Sequence, residues 1–189
     1  MKPRMLGRFG MIFALLVGAG LASAGSAPQA IAPQSDEALA RQVRHEIVMY
    51  PRYTIWDNVN LLVDHGSVEL TGAVSQPYKK SDLGKIVQKV PGVRSVTNQL
   101  EVLPLSPMDD RLRLQVARAI FRDPSLSRYA LQAVPPIHII VYNGHVTLEG
   151  VVNNNMEKQM AGMRASSAGL SFGAVTNNLR VETAPAKKG

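Results

Sequence analysis

"HGSVELTG" spans His65 to Gly72, and "NGHVTLEG" spans Asn143 to Gly150. The octapeptides lie 78 residues apart and share Gly66/Gly144, Val68/Val146, Leu70/Leu148 and Gly72/Gly150. Asn-Gly is a strong two-residue hairpin signal, because both central positions of a type I′ turn need φ > 0, and His65-Gly66 stands in the same place. Before the first turn Val59, Leu61 and Val63 alternate with Asn60 and Asp64; after it Val68, Leu70 and Val74 alternate with Glu69 and Thr71. A period of two predicts a β-hairpin with one buried face. Gly66 and Gly144 make the turns. Gly72 and Gly150 sit in the returning strand on the valine face, where a missing side chain implies close approach of another element, expected to be a helix.

The likeness extends outward in both directions. "DEALARQVRHEIVMYPRY" (36–53) lies over "DDRLRLQVARAIFRDPSL" (109–126) at an offset of 73, and "VTNQL" (96–100) over "VTNNL" (175–179) at an offset of 79. Three blocks in one order mean two copies of one unit. Leu39, Val43 and Ile47 form one apolar helical stripe, with Asp36 as the expected N-cap and Pro51 beyond the end. After the hairpin, Ser75 before Gln76-Pro77 predicts a second cap, Leu83, Ile86, Val87 and Val90 a second stripe, and Pro91-Gly92 its stop. "VRSVTNQLEVL" then reads as a last strand. In the second copy Asn153 is the expected cap, with Met156, Met160 and Met163 as the apolar face. The fold class is therefore α+β: two tandem αββαβ units, each a small mixed three-stranded sheet with two helices on one face. A unit of roughly 70 residues buries a thin core, so mutual packing of the units is expected.

The chain of 189 residues starts with Lys2, Arg4 and Arg8, an apolar stretch from Phe9 to Ala22, and Ala22-Ser23-Ala24. That pattern reads as a secretory signal peptide cleaved near Ala24, too short to span a bilayer. The expected organisation is a signal peptide over 1–24, a flexible leader over 25–35, units over 36–104 and 109–183, and a disordered tail over 184–189. The absence of cysteine excludes disulfides, thiolate metal sites and lipid attachment through an N-terminal cysteine. The formal charge of +7 falls to about +4 without the first three cations, which is modest for a nucleic-acid binder.

With its turn, "V-x-L-x-G-x-V" (68–74 and 146–152), the following helix, "VPGVRSVTNQLEV" (90–102) and the duplication after a signal peptide, the chain resembles tandem BON-domain proteins, modules found in bacterial osmotic-stress periplasmic proteins. The second copy departs from the pattern at "SAGLSFGAV" (167–175) and around 129–136. The resemblance implies a periplasmic, non-catalytic protein. It would bind an anionic phospholipid surface and support envelope integrity, or dock as an adaptor onto an envelope protein complex. It implies no cofactor, no nucleic acid and no transmembrane segment in the mature chain.

Sequence motifs for chemistry are lacking. His45, His65, His138 and His145 show no ligand spacing, so no metal is expected, and His138 reads as a half-buried strand residue. No G-x-S-x-G elbow and no phosphate-cradling glycine loop occurs. Two stretches remain as lipid-binding candidates. "YPRYTIW" (50–56) places Arg52 and Trp56 among tyrosines, a composition suited to a membrane interface, or else to packing between helix and sheet. Lys79, Lys80, Lys85 and Lys89 line the second helix of the first copy, as a headgroup-binding or simply a solvated face. Arg111, Arg113, Arg118 and Arg122 wrap too widely around their helix to form one stripe. Gly66, Gly72, Gly92, Gly144 and Gly150 are the expected structural glycines.

Overall fold

The computed structural model describes residues 35–168 and 174–182, all within one compact unit of the chain. The signal peptide, most of the leader, the tail and most of "SAGLSFGAV" lie outside the described residues. The first repeat runs α1 (Asp36–Val48), β1 (Asn58–Asp64), β2 (Ser67–Val74), α2 (Pro77–Gln88), β3 (Ser95–Asn98) and β4 (Glu101–Val102). The second runs α3 (Pro107–Phe121), a 3₁₀ turn (Ser127–Leu131), β5 (Ile137–Tyr142), β6 (His145–Val152), α4 (Asn155–Ser167), β7 (Val175–Asn177) and β8 (Arg180–Val181). The hairpin strand β2 pairs antiparallel with β1 and parallel with β3 and β4; β6 does the same with β5, β7 and β8. Each repeat thus builds a mixed sheet and its own core. Leu39, Val43, Ile47, Leu70, Leu83 and Val87 fill one core, and Leu112, Val116, Ile120, Ile139, Leu148 and Ala161 the other.

The turns have the expected left-handed pair: His65 and Gly66 at φ 47° and 82°, Asn143 and Gly144 at 48° and 79°. Their amides are gripped from afar. Asp36 accepts from the N–H groups of His65 (3.0 Å) and Gly66 (3.3 Å). Asp109 accepts from Asn143 (3.0 Å) and Gly144 (2.8 Å). Asp36 is therefore a residue of the first helical turn that reaches the hairpin, and Ser35 supplies the cap, accepting from the Ala38 N–H. Two further caps fall one residue later than their expected positions. Gln76 occupies that of α2, because the Ser75 hydroxyl donates elsewhere, and Asn154 that of α4, accepting from Glu157.

Gly72 and Gly150 do lie at close approaches, but the partner strand makes them at Gly72 and the residue just before it at Gly150. A Cβ on Gly72 (φ 110°) would sit 2.3 Å from the Asn58 carbonyl oxygen, and one on Gly150 (φ 117°) 1.9 Å from that of Pro136. The helices touch glycine elsewhere. Asn98 passes over Gly84 to donate to the Lys80 carbonyl, and Asn177 passes over Gly162 to the Lys158 carbonyl. The same asparagines accept from Leu100 and Leu179, which breaks each last strand into two short pieces.

In α4 the inward face is Glu157, Ala161 and Ala165, with Met160 at its edge; Met156 and Met163 are exposed. Met156 and Met163 are thus turned away from the core, against which Met160 packs. Small residues let the helix sit close to the sheet, and the Glu157 carboxylate is held inside by Tyr129 and Arg128 of the 3₁₀ turn.

Gly150→Ala should lower unfolding free energy by about 3 kcal/mol or more, since backbone blocks the new methyl. Gly144→Ala, which meets nothing within 4 Å, should cost about 1 kcal/mol from its φ alone. Urea denaturation of the two variants measures the contrast.

Candidate functional site

Between α1 and β1 runs a strap, Thr54 to Asp57, that joins the repeats. Asp57 is fully buried. Its carboxylate accepts from the Thr54 N–H (2.9 Å) and hydroxyl (2.7 Å), the Ser75 N–H (2.7 Å) and hydroxyl (2.8 Å), and the Lys79 ammonium (2.6 Å). Burial alone would raise the Asp57 pKa, but these donors together hold it below the usual carboxylate range. The strap so fixed points the Ile55 carbonyl at the Ile139 N–H of β5, 2.7 Å away, and lays Ile55 and Trp56 against the second core. Tyr53 stacks obliquely on His138 at 5.5 Å between ring centroids. His138 is buried rather than half-buried, and its Nδ1 has no partner among the described residues. Desolvation lowers its pKa, opposed by backbone bonds to Thr54 and Asp57 and by the charges of Asp57 and Glu149.

The lysine row of α2 is divided by this arrangement. Lys79 belongs to the interior, paired with Asp57, and offers nothing to a surface. Lys80 is half-buried, whereas Lys85 and Lys89 are exposed and border a shallow groove with Gly84, Val96 and Asn98. Arg52 is exposed, with its guanidinium 5.1 Å from the centre of the Tyr78 ring. Trp56 is half-buried and committed to the junction. Of the structural glycines, Gly92 also has positive φ, at 97°.

A basic surface with apolar borders lies on α3. Arg113 is drawn inward, donating to the Val141 carbonyl (2.8 Å) and to Asp110. Without it, the other arginines do form one stripe: at 3.6 residues per turn, Arg111, Arg118 and Arg122 fall within about 40° of one another. All three are exposed, and none is in an ion pair among the described residues. Met108 (64% exposed) and Leu114 (49%) flank them, and Leu105 (84%) precedes the helix. The i, i+7, i+11 spacing carried this signal in the sequence; Arg113 masked it.

One acidic cluster, Asp36, Asp64 and His65, brings its ligand atoms within 4.8 Å of one another at the first turn. The Asp36 carboxylate is already taken by the turn amides, so the cluster is accounted for by the hairpin.

Lys79→Met strands a buried carboxylate and should cost about 3–5 kcal/mol. Trp56, the single tryptophan, should report it by a red shift in emission before global unfolding. For His138 the folded pKa is depressed, so the unfolded state binds the proton more readily. Stability is then complete above the unfolded value of 6.5 and declines as pH falls through it toward the folded value. Urea midpoints measured from about pH 7.5 to pH 5 should fall, and His138→Phe should flatten that slope.

The BON domain family model matches residues 35–104 and again residues 109–183. No curated protein matches the chain. Two solved structures are similar over much of it, both of CdsD, a structural protein of the type III secretion system of Chlamydia trachomatis. One is 16% identical, covering 77% of this chain and 93% of that one, with a TM-score of 0.29. The other, the C-terminal domain, is 15% identical, covering 79% and 99%, with a TM-score of 0.28. Two family matches, one on each αββαβ repeat, establish that the chain belongs to the BON domain family as a tandem pair.

Proposed function

We propose that the protein is a non-catalytic, exported envelope component that attaches peripherally to anionic phospholipid headgroups through the outer face of α3, and so supports the envelope under osmotic stress. The observation carrying this reading is the stripe of Arg111, Arg118 and Arg122 flanked by exposed Met108 and Leu114. An arginine-bearing face with apolar side chains at its border suits a helix lying in the headgroup plane. Guanidinium groups meet phosphate oxygens bidentately. Each cation near such a surface contributes about 1 kcal/mol, so three supply about a hundredfold in affinity, screened by salt.

Membership of a family associated with envelope binding supports the same reading. Among the described residues no helix is long and apolar enough to cross a membrane. The periplasmic location rests on the basic, apolar, A-x-A start of the chain. Lys85 and Lys89 would add to the attraction from the first repeat, while Lys79 is withdrawn from it.

Sedimentation with vesicles containing phosphatidylglycerol should show binding at low salt that fades at high salt. Exchanging Arg111, Arg118 and Arg122 for glutamate should abolish it, and Met108→Ser with Leu114→Ser should weaken it several-fold. Undiminished binding by the glutamate variant, or none by the native chain, would falsify the assignment.

A further inference from the structure

The two hairpins have the same register, Leu61 opposite Leu70 and Val63 opposite Val68, as Ile139 is opposite Leu148 and Val141 opposite Val146. Their outer edges nevertheless differ. On β5 the outward Ile139 N–H is taken by Ile55 (2.7 Å), and the outward Val141 carbonyl by Arg113 (2.8 Å). On β1 the counterparts are the Leu61 N–H and the Val63 carbonyl. Neither has a partner among the described residues. The counterpart of Arg113 in the repeat is Ala40, whose side chain donates nothing.

Among the described residues only the near end of β1 is closed, where the Tyr53 hydroxyl accepts from the Val59 N–H. Beyond it, Asn58 to Leu61 border a groove of about 270 Å³ with Arg44, Val48 and Val134 to Pro136. Pro135 and Pro136 have no N–H to offer a neighbouring strand. Along the other wall, Arg41, Arg44 and Val48 follow one face of α1, all exposed and with neither arginine in an ion pair among the described residues. Leu62, on the opposite face of the strand, is 65% exposed. Uncovered strand edges are templates for pairing, and natural proteins close the ones they do not use.

We propose that the open edge of β1 is a docking site for an extended segment of a partner protein in which apolar and acidic side chains alternate. Its backbone pairs with Leu61 and Val63, its acidic groups face Arg41 and Arg44 on the helix side, and its apolar groups cover Leu62 on the opposite face. The molecule contains its own precedent. Ile55, in the Thr54 to Asp57 turn, offers one carbonyl to the Ile139 N–H at the equivalent edge of β5, so that edge takes a main-chain hydrogen bond from outside its sheet. Strand addition beside a helix takes affinity from main-chain bonds and specificity from alternate side chains.

The test uses the full chain and a short synthetic peptide in which glutamate and valine alternate. Amide exchange should slow at Leu61 by roughly tenfold or more when the peptide binds, with NMR shift changes confined to β1 and α1. Exchanging Arg41 and Arg44 for glutamate should weaken binding about tenfold through lost charge complementarity. A peptide methylated on its backbone nitrogens keeps the side chains and should not bind. The Arg111, Arg118 and Arg122 glutamate variant should bind the peptide normally, so this result and vesicle attachment are read separately. Binding retained by the methylated peptide, shifts at β5 or α3 instead of β1, or absence of binding overturns the proposal. Protection of Leu61 that rises with protein concentration alone overturns it too, assigning the edge to a second copy of the chain.

Discussion

An aspartate in the first turn of a helix receives two amide protons from a hairpin turn some thirty residues further along, and the chain does this twice. Asp36 and Asp109 each tie α-helix to hairpin at the point where the backbone is most exposed to misregister. A type I′ turn leaves N–H groups pointing outward, and a carboxylate satisfies two at once with charge-assisted bonds. The tie fixes which end of the helix lies over the turn. Leu39, Val43 and Ile47 then necessarily face Val68 and Leu70, and the cores follow. The glycine pairs enforce the strand side of the same geometry, since Gly72 and Gly150 let the two hairpin backbones close to a distance no other residue permits.

Within that common frame the copies have diverged in polarity. Lys79 and Glu157 occupy equivalent places at the start of the second helix of each repeat, and both are buried. Lys79 reaches an aspartate in the strap. Glu157 reaches Tyr129 and Arg128 in the inserted 3₁₀ turn, and these bonds with the Asn153 amide outweigh burial to keep its pKa low. One position thus serves opposite charges because each has a partner fitted to it. The consequence is directional: the first repeat extends a strap into the second, and the second keeps its own loop for itself.

That direction leaves different surfaces open on the two repeats. The second repeat has its sheet edge engaged at the Ile139 N–H and the Val141 carbonyl, and presents α3 with arginines and exposed apolar side chains. The first has its edge open beside Arg41 and Arg44. The proposed membrane contact and the proposed strand-docking contact therefore draw on separate residues, and neither competes for the side chains that hold the repeats together.

Period and repetition in the chain determined the αββαβ order, the position and type of both turns, and the inward stripe of α1, because these depend on local backbone geometry and on which residues share a face. They left undecided which face of a helix points inward when both carry mixed residues. Met156, Met160 and Met163 have the spacing of a core stripe, yet the sheet accepts Ala161 and Ala165 because a close approach beside Asn177 favours small side chains. Lys79 and Arg113 looked like surface charge, since their partners Asp57 and Val141 lie 22 and 28 residues away. Burying a charge is settled by an acceptor brought from a distance, and only the folded chain brings it.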